Sequence, residues 1–225
     1  MIGRLGLGLA ALALLTACGE RDVIFEGERQ DIRPGTLAED FGAPRDFATI
    51  AARVNADWTH RSGNATHNID HPALGAALNL AFSAPIGEGD GRRVRITADP
   101  VVAGGRIFTV DAISTVTATS TGGATLWTRS LVPAGENPRD ASGGGLAVGE
   151  GILLVSTGFG ELVALDPASG AELWTQDLDA PGNSAPTLVG DLAYVVARDG
   201  RAWAIETGTG RIAWTLSGTP PEANF

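Results

Sequence analysis

A chain of 225 residues, 44% hydrophobic and 19% charged, holds enough apolar material for one sizeable domain or two small ones and is not disordered by composition. Its formal net charge of −10, from 16 basic against 26 acidic residues, leaves no electrostatic footprint for phosphate backbones and argues against nucleic acid as a partner. Every basic residue is arginine, so Schiff-base chemistry and a phosphate-loop lysine are both excluded.

Residues 1–17 read as a signal peptide. Arg4 gives a short positive start, and Leu5 to Leu15 form an apolar stretch too short to span a bilayer comfortably. Leu15-Thr16-Ala17-Cys18 resembles a bacterial lipobox, which implies that Cys18 is acylated and becomes the first residue of the mature chain. Loss of Arg4 takes the formal charge from −10 to −11. Cys18 is the only cysteine, so once lipidated it leaves no thiol for a disulfide, a metal or a nucleophile. Gly19 in place of aspartate resembles lipoproteins sorted to the outer membrane, implying a lipid-anchored protein that faces the periplasm.

Residues 18–54 form a charged tether, extended from Gly19 to Gly35. Leu37, Phe41, Phe47, Ile50 and Val54 predict at most one short helix, interrupted by Gly42 and Pro44. Residues 55–97 come next, with "LNLAFSAPIG" (78–87) as an isolated leading strand that puts Phe82 45 residues before Trp127. His60, His67 and His71 are close enough in sequence to suggest a metal, but Gly63, Asn64, Asn68 and Pro72 mark a loop. They are expected to be structural or surface histidines, and no metal site is assigned.

From residue 98 onward the chain repeats itself. Trp127, Trp174 and Trp214 lie 47 and 40 residues apart, each four residues after a glycine: Gly123, Gly170 and Gly210. In the third copy four apolar runs (185–189, 192–198, 202–207, 211–216) are separated by Gly190-Asp191, Asp199-Gly200 and Thr207 to Gly210. Four strands at this period predict an all-β fold of propeller blades, at about 98–131, 142–178 and 184–217. The glycine permits a tight turn between the third and fourth strands, and the tryptophan supplies an apolar ring at the blade-to-blade seam. A sandwich core would have no need of such regular spacing.

Gly143-Gly144-Gly145 has neither the lysine nor the helix of a phosphate loop, and reads as a close-packed approach to the second blade's inner strand. Asp166 and Glu206 occupy equivalent turn positions and are expected to cap their own turns; Asp111 is the remaining candidate acid. No nucleophile with its base is present.

Ala164-Leu165-Asp166, Gly170 and Trp174, repeated as Ala204-Ile205-Glu206, Gly210 and Trp214, resemble the PQQ-like propeller repeat; the first copy departs as Ala118-Thr119-Ser120. Together with the lipobox and tether, "DWTHRSGNATHN" (57–68), "RITADPVVAGGRIFTVDA" (95–112) and "DASGGGLAVGEGILLVSTGFGELVALD" (140–166) resemble the BamB-like outer-membrane assembly lipoproteins, alphaproteobacterial type. That resemblance implies a non-catalytic scaffold without cofactor. It would bind the periplasmic part of BamA and steer nascent outer-membrane proteins by strand addition to an exposed edge. Partner contacts in that family centre on an inter-blade loop; the matching connection, "DLDAPGNSAP" (177–186), is shorter and has no arginine, and carries Asp177, Asp179 and Asn183.

The alternative on the same fold is a PQQ-dependent quinoprotein dehydrogenase or a ligand-binding periplasmic propeller. Such dehydrogenases resemble this chain in their blades alone, and usually add a vicinal cysteine pair over the quinone. Three repeats and the Phe82 strand predict an incomplete arc of about three and a half blades, from a gene product of roughly twice this length.

Overall fold

The computed structural model describes residues 49–182 and 184–218. Cys18 and the signal peptide therefore lie outside the described residues, as does Asn183. Among the described residues, the body from Ile50 onward is built from strands, turns and irregular connections. Twelve strands form three four-stranded antiparallel sheets. The first contains β1 (Val101–Ala103), β2 (Arg106–Val110), β3 (Thr115–Ser120) and β4 (Thr125–Ser130). The second contains β5 (Gly144–Gly149), β6 (Ile152–Thr157), β7 (Glu161–Leu165) and β8 (Glu172–Asp177). The third contains β9 (Thr187–Val189), β10 (Leu192–Val196), β11 (Arg201–Glu206) and β12 (Ile212–Ser217). Each is a meander in chain order, and each is a propeller blade.

Local sequence explains the repetition. The first hairpin of each blade closes over a two-residue turn, fixing Ala103 opposite Arg106, Gly149 opposite Ile152, and Val189 opposite Leu192. The second hairpin of the first blade is held by Asp111, whose Oδ1 accepts from Ile113 N–H at 3.0 Å and Thr115 N–H at 2.7 Å. At the third hairpin the register slips at the same place in every blade, after Ala118, Ala164 and Ala204.

Period-two alternation sends successive side chains of one strand into different seams. In β6, Leu153 and Val155 pack toward Phe108, Val116 and Leu131 of the first blade. Leu154 points the other way, toward Leu188, Val195 and Trp203 of the third. Leu153, Leu154 and Val155 are all fully buried, which makes the middle blade apolar on both faces. The far face of the third blade is uncovered by any described residue: Ile212, Trp214 and Leu216 are 44%, 45% and 64% exposed.

Two segments ahead of the blades form no regular element among the described residues. Residues 78–87 form no ladder among the described residues; Ile86 O accepts from the Thr117 hydroxyl of β3 at 3.4 Å, and Phe82 packs on Gly123. Residues 49–54, the end of the expected helix, are not helical: Arg53 forms an isolated bridge with Pro72, donating its N–H to His71 O at 2.9 Å. The rest of that segment lies outside the described residues.

Candidate functional site

Each outer strand carries its tryptophan across to the next blade. Trp127 lies against Gly170, where an added β-carbon would stand 2.6 Å from the ring, and Trp174 lies against Gly210 in the same way at 2.8 Å. Each indole Nε1–H also donates to a carbonyl three residues before that glycine, to Pro167 O at 3.2 Å and to Thr207 O at 2.7 Å. Phe82 takes the corresponding place against Gly123, its ring 2.9 Å from where a β-carbon on that glycine would stand. The glycines at 170 and 210 thus have two reasons to lack a side chain: positive φ angles of 71° and 72°, and the neighbouring ring. Among the described residues, the aromatic ring beside Trp214 is Tyr194 of its own blade, at 6.0 Å between centroids.

The turn carboxylates serve their own turns. Asp166 Oδ1 accepts from the Ser169 hydroxyl at 2.8 Å, from Ser169 N–H at 2.7 Å and from Ala168 N–H at 2.9 Å, and the Ser169 hydroxyl, then its N–H, hold the carboxyl below the usual aspartate range. Glu206 Oε2 accepts from the Thr209 hydroxyl at 2.7 Å. In the first blade Ser120 Oγ performs this role by accepting from Ala124 N–H at 3.1 Å. Asp111 Oδ2 accepts from Glu88 N–H at 2.9 Å, so both its oxygens are bonded to backbone N–H groups. Gly144 and Gly145 lie in β5, where a β-carbon on either would collide with backbone, of Ser156 and Ala185 respectively.

A strap crosses the innermost strands. Trp58 exchanges two backbone bonds with Val102 of β1, at 2.7 and 2.8 Å; Thr59 O accepts from Val148 N–H of β5 at 2.9 Å; and His60 Nε2 accepts from Leu188 N–H of β9 at 2.9 Å. His60 is buried, and its Nδ1–H donates to Thr59 Oγ1 at 2.8 Å. Burial, then the nearby His67, hold its pKa below the ordinary histidine value. His67 Nδ1 contacts Arg61 O at 2.7 Å and Nε2 contacts Thr187 Oγ1 at 3.1 Å, while His71 Nδ1 contacts Ile50 O at 2.7 Å. The three histidines are thus spent on separate hydrogen bonds.

At the opposite ends of the blades runs the connection from β8 to β9. Leu178 N–H donates to Gly160 O at 2.8 Å, Gly182 N–H to Thr157 O at 3.0 Å, and Arg198 N–H to Pro181 O at 3.0 Å, which ties it to hairpins of both flanking blades. Asp177 and Asp179 are exposed on it, with Asp177 Oδ1 accepting from Asp179 N–H at 2.7 Å. Pro181 lines a cleft of about 360 Å³ with Arg93, Asp140 and Arg198. Glu161, opposite Asp177 in the ladder, has its carboxyl pushed up by burial and by the charges of Asp177 and Glu172.

A family model described as "Outer membrane protein assembly factor BamB" matches residues 112–225. The chain is 36% identical over 72 residues to the outer membrane protein assembly factor BamB of Yersinia pestis, covering 30% of this chain and 18% of that protein. It is 31% identical over 87 residues to the dehydrogenase subunit of a quinone alcohol dehydrogenase of Gluconacetobacter polyoxogenes, covering 34% of this chain and 12% of that protein. The matched segments are therefore well under two thirds of either relative. A europium-containing methanol dehydrogenase shares the fold, with a TM-score of 0.59 at 22% identity, over 75% of this chain and 33% of that one.

Proposed function

Because the chain belongs to the family of outer membrane protein assembly factor BamB, we propose that it is a non-catalytic scaffold of the β-barrel assembly machinery. In this reading it is anchored through Cys18 to the outer membrane and faces the periplasm. It binds the periplasmic part of a BamA-like protein and assists the insertion of nascent outer-membrane proteins. The observation that carries the reading is the strap. The N–H groups of Val102, Val148 and Leu188 on the innermost strands are bonded to Trp58, Thr59 and His60, which leaves them unavailable to a ligand. Exposed polar groups stand at the blade ends, on the connection bearing Asp177 and Asp179 and beside the Arg93 and Arg198 cleft, where a protein partner can reach them.

The likeness to quinone alcohol dehydrogenases supports a second reading, a propeller that holds a quinone cofactor or another small ligand. Titration of the full chain with the periplasmic domains of the assembly protein separates the two. The scaffold reading predicts a one-to-one complex, weakened at least tenfold by Asp179→Arg combined with Arg198→Glu. Absence of binding, together with alcohol-dependent dye reduction when pyrroloquinoline quinone and calcium are added, would overturn it in favour of the dehydrogenase.

A further inference from the structure

Val102, Val148 and Leu188 occupy the same position in their blades, each one residue before the end of the innermost strand. Consecutive strap residues satisfy their N–H groups, but not with the same chemistry. Trp58 and Thr59 use backbone carbonyls, whereas His60 uses Nε2 of its ring. The reason is local. The strap turns back at this point, with Gly63 N–H donating to His60 O at 2.9 Å and Thr59 N–H to Gly63 O at 2.9 Å, so the carbonyl of His60 is committed to the turn. Two of the three clasps are therefore indifferent to pH, and one is not.

We propose that His60 is a proton-released clasp, which holds the strap on the third blade when neutral and lets go when protonated, while the strap stays bonded to the first two blades. The Leu188 N–H can donate only to an unprotonated Nε2. A proton there sets two donors face to face and places a cation on a side chain that is 4% exposed. No titratable side chain on β1, β5 or β9 offers compensation, since these strands read VVA, GGLAVG and TLV. Two groups of the strap loop stand near it. His67 stands edge-on at 6.3 Å between centroids, and Arg61 is directed to Asp99 at 3.2 Å. His67 at this distance further disfavours a positive charge on His60. The folded-state pKa of His60 lies below the 6.5 of a free histidine. The stabilisation it gives is therefore complete above pH 6.5 and is lost as pH falls through the folded-state value. Release uncovers the Leu188 N–H and, through His67, the Thr187 hydroxyl on the same strand.

Amide hydrogen exchange of the full chain in detergent micelles, resolved by NMR and corrected for intrinsic rates, tests the clasp. Between pH 6.5 and the lower folded-state pKa of His60 the protection of Leu188 should fall about tenfold for each pH unit and then level off, while Val102 and Val148 keep theirs. His60→Gln retains an acceptor that does not titrate, and should leave Leu188 protected throughout. The ring nitrogen shifts of His60 give a readout in the unaltered chain, and should convert to the imidazolium pattern with the same midpoint as the loss of protection. Constant protection at Leu188, simultaneous loss at all three amides, an unchanged response in His60→Gln, or a ring midpoint that differs from the exchange midpoint would each overturn the proposal.

Discussion

Gly170 leaves open the space that Trp127 fills: a β-carbon at Gly170 would stand 2.6 Å from ring carbon Cε3 and 2.8 Å from Cδ2 of the preceding blade's tryptophan. Gly151 shares the left-handed backbone, φ 79° against 71°, but has nothing within 4 Å of its β-carbon position. Comparing Gly170→Ala with Gly151→Ala therefore separates ring contact from backbone strain. Gly151→Ala should cost about 1–2 kcal/mol for the backbone alone, and Gly170→Ala a further ~1–3 kcal/mol for overpacking the seam. Chemical denaturation reads both, and equal losses would mean that the ring moves aside freely.

The tryptophans themselves should differ. Trp174 is packed against Gly210 and bonded through its indole to Thr207 O, whereas Trp214 is 45% exposed and has no acceptor for its indole among the described residues. Trp174→Ala is expected to destabilise by about 3–5 kcal/mol, and Trp214→Ala by roughly 1–2 kcal/mol. Arg198→Ala, on an exposed hairpin turn, should stay within about 0.5 kcal/mol. Urea midpoints of the three variants check the order.

Glu161 offers a pH test of opposite sign to that of His60. Its folded-state pKa is raised, by burial and then by Asp177 and Glu172, so the folded protein holds its proton more tightly than the unfolded chain. Its contribution is present below the unfolded glutamate pKa and is lost as pH rises through the folded value. Glu161→Gln should therefore stabilise the protein at pH 7, by well under 1 kcal/mol because the group is partly solvated, and make no difference near pH 3. Melting curves at the two pH values decide it; a loss of stability at pH 7 would contradict the assignment.

Cys18 is expected to carry acyl chains, on the strength of Leu15-Thr16-Ala17-Cys18 after an apolar stretch. Labelled palmitate should enter the wild-type chain and be absent from Cys18→Ala, which should also leave the membrane fraction. An unlabelled wild type whose mature chain starts elsewhere would refute the anchor.

The blades were legible because their determinants are side chains: glycine four residues before tryptophan, and turn pairs such as Asp199-Gly200. The second role of Gly170 was not legible, since the ring it receives comes from a residue 43 positions earlier, Trp127, and no local rule connects them. The strap was hidden for another reason. Trp58 and Thr59 act through backbone carbonyls, which every residue possesses, so the segment reads as an aperiodic loop. His60 gave a faint signal as a histidine in a loop, but its partner, Leu188 N–H, lies 128 residues away. In 78–87 the apolar pattern placed Phe82 against Gly123, yet a ladder needs a neighbouring strand, which an apolar pattern cannot supply.

The scaffold reading is tested most directly by the amount of folded outer-membrane β-barrel protein in envelopes of the source cell, measured by heat-modifiable migration after deletion of the gene. The account predicts a several-fold fall that the wild-type chain restores and that the Asp179→Arg, Arg198→Glu variant does not. Unchanged levels of folded barrels in the deletion strain would contradict it.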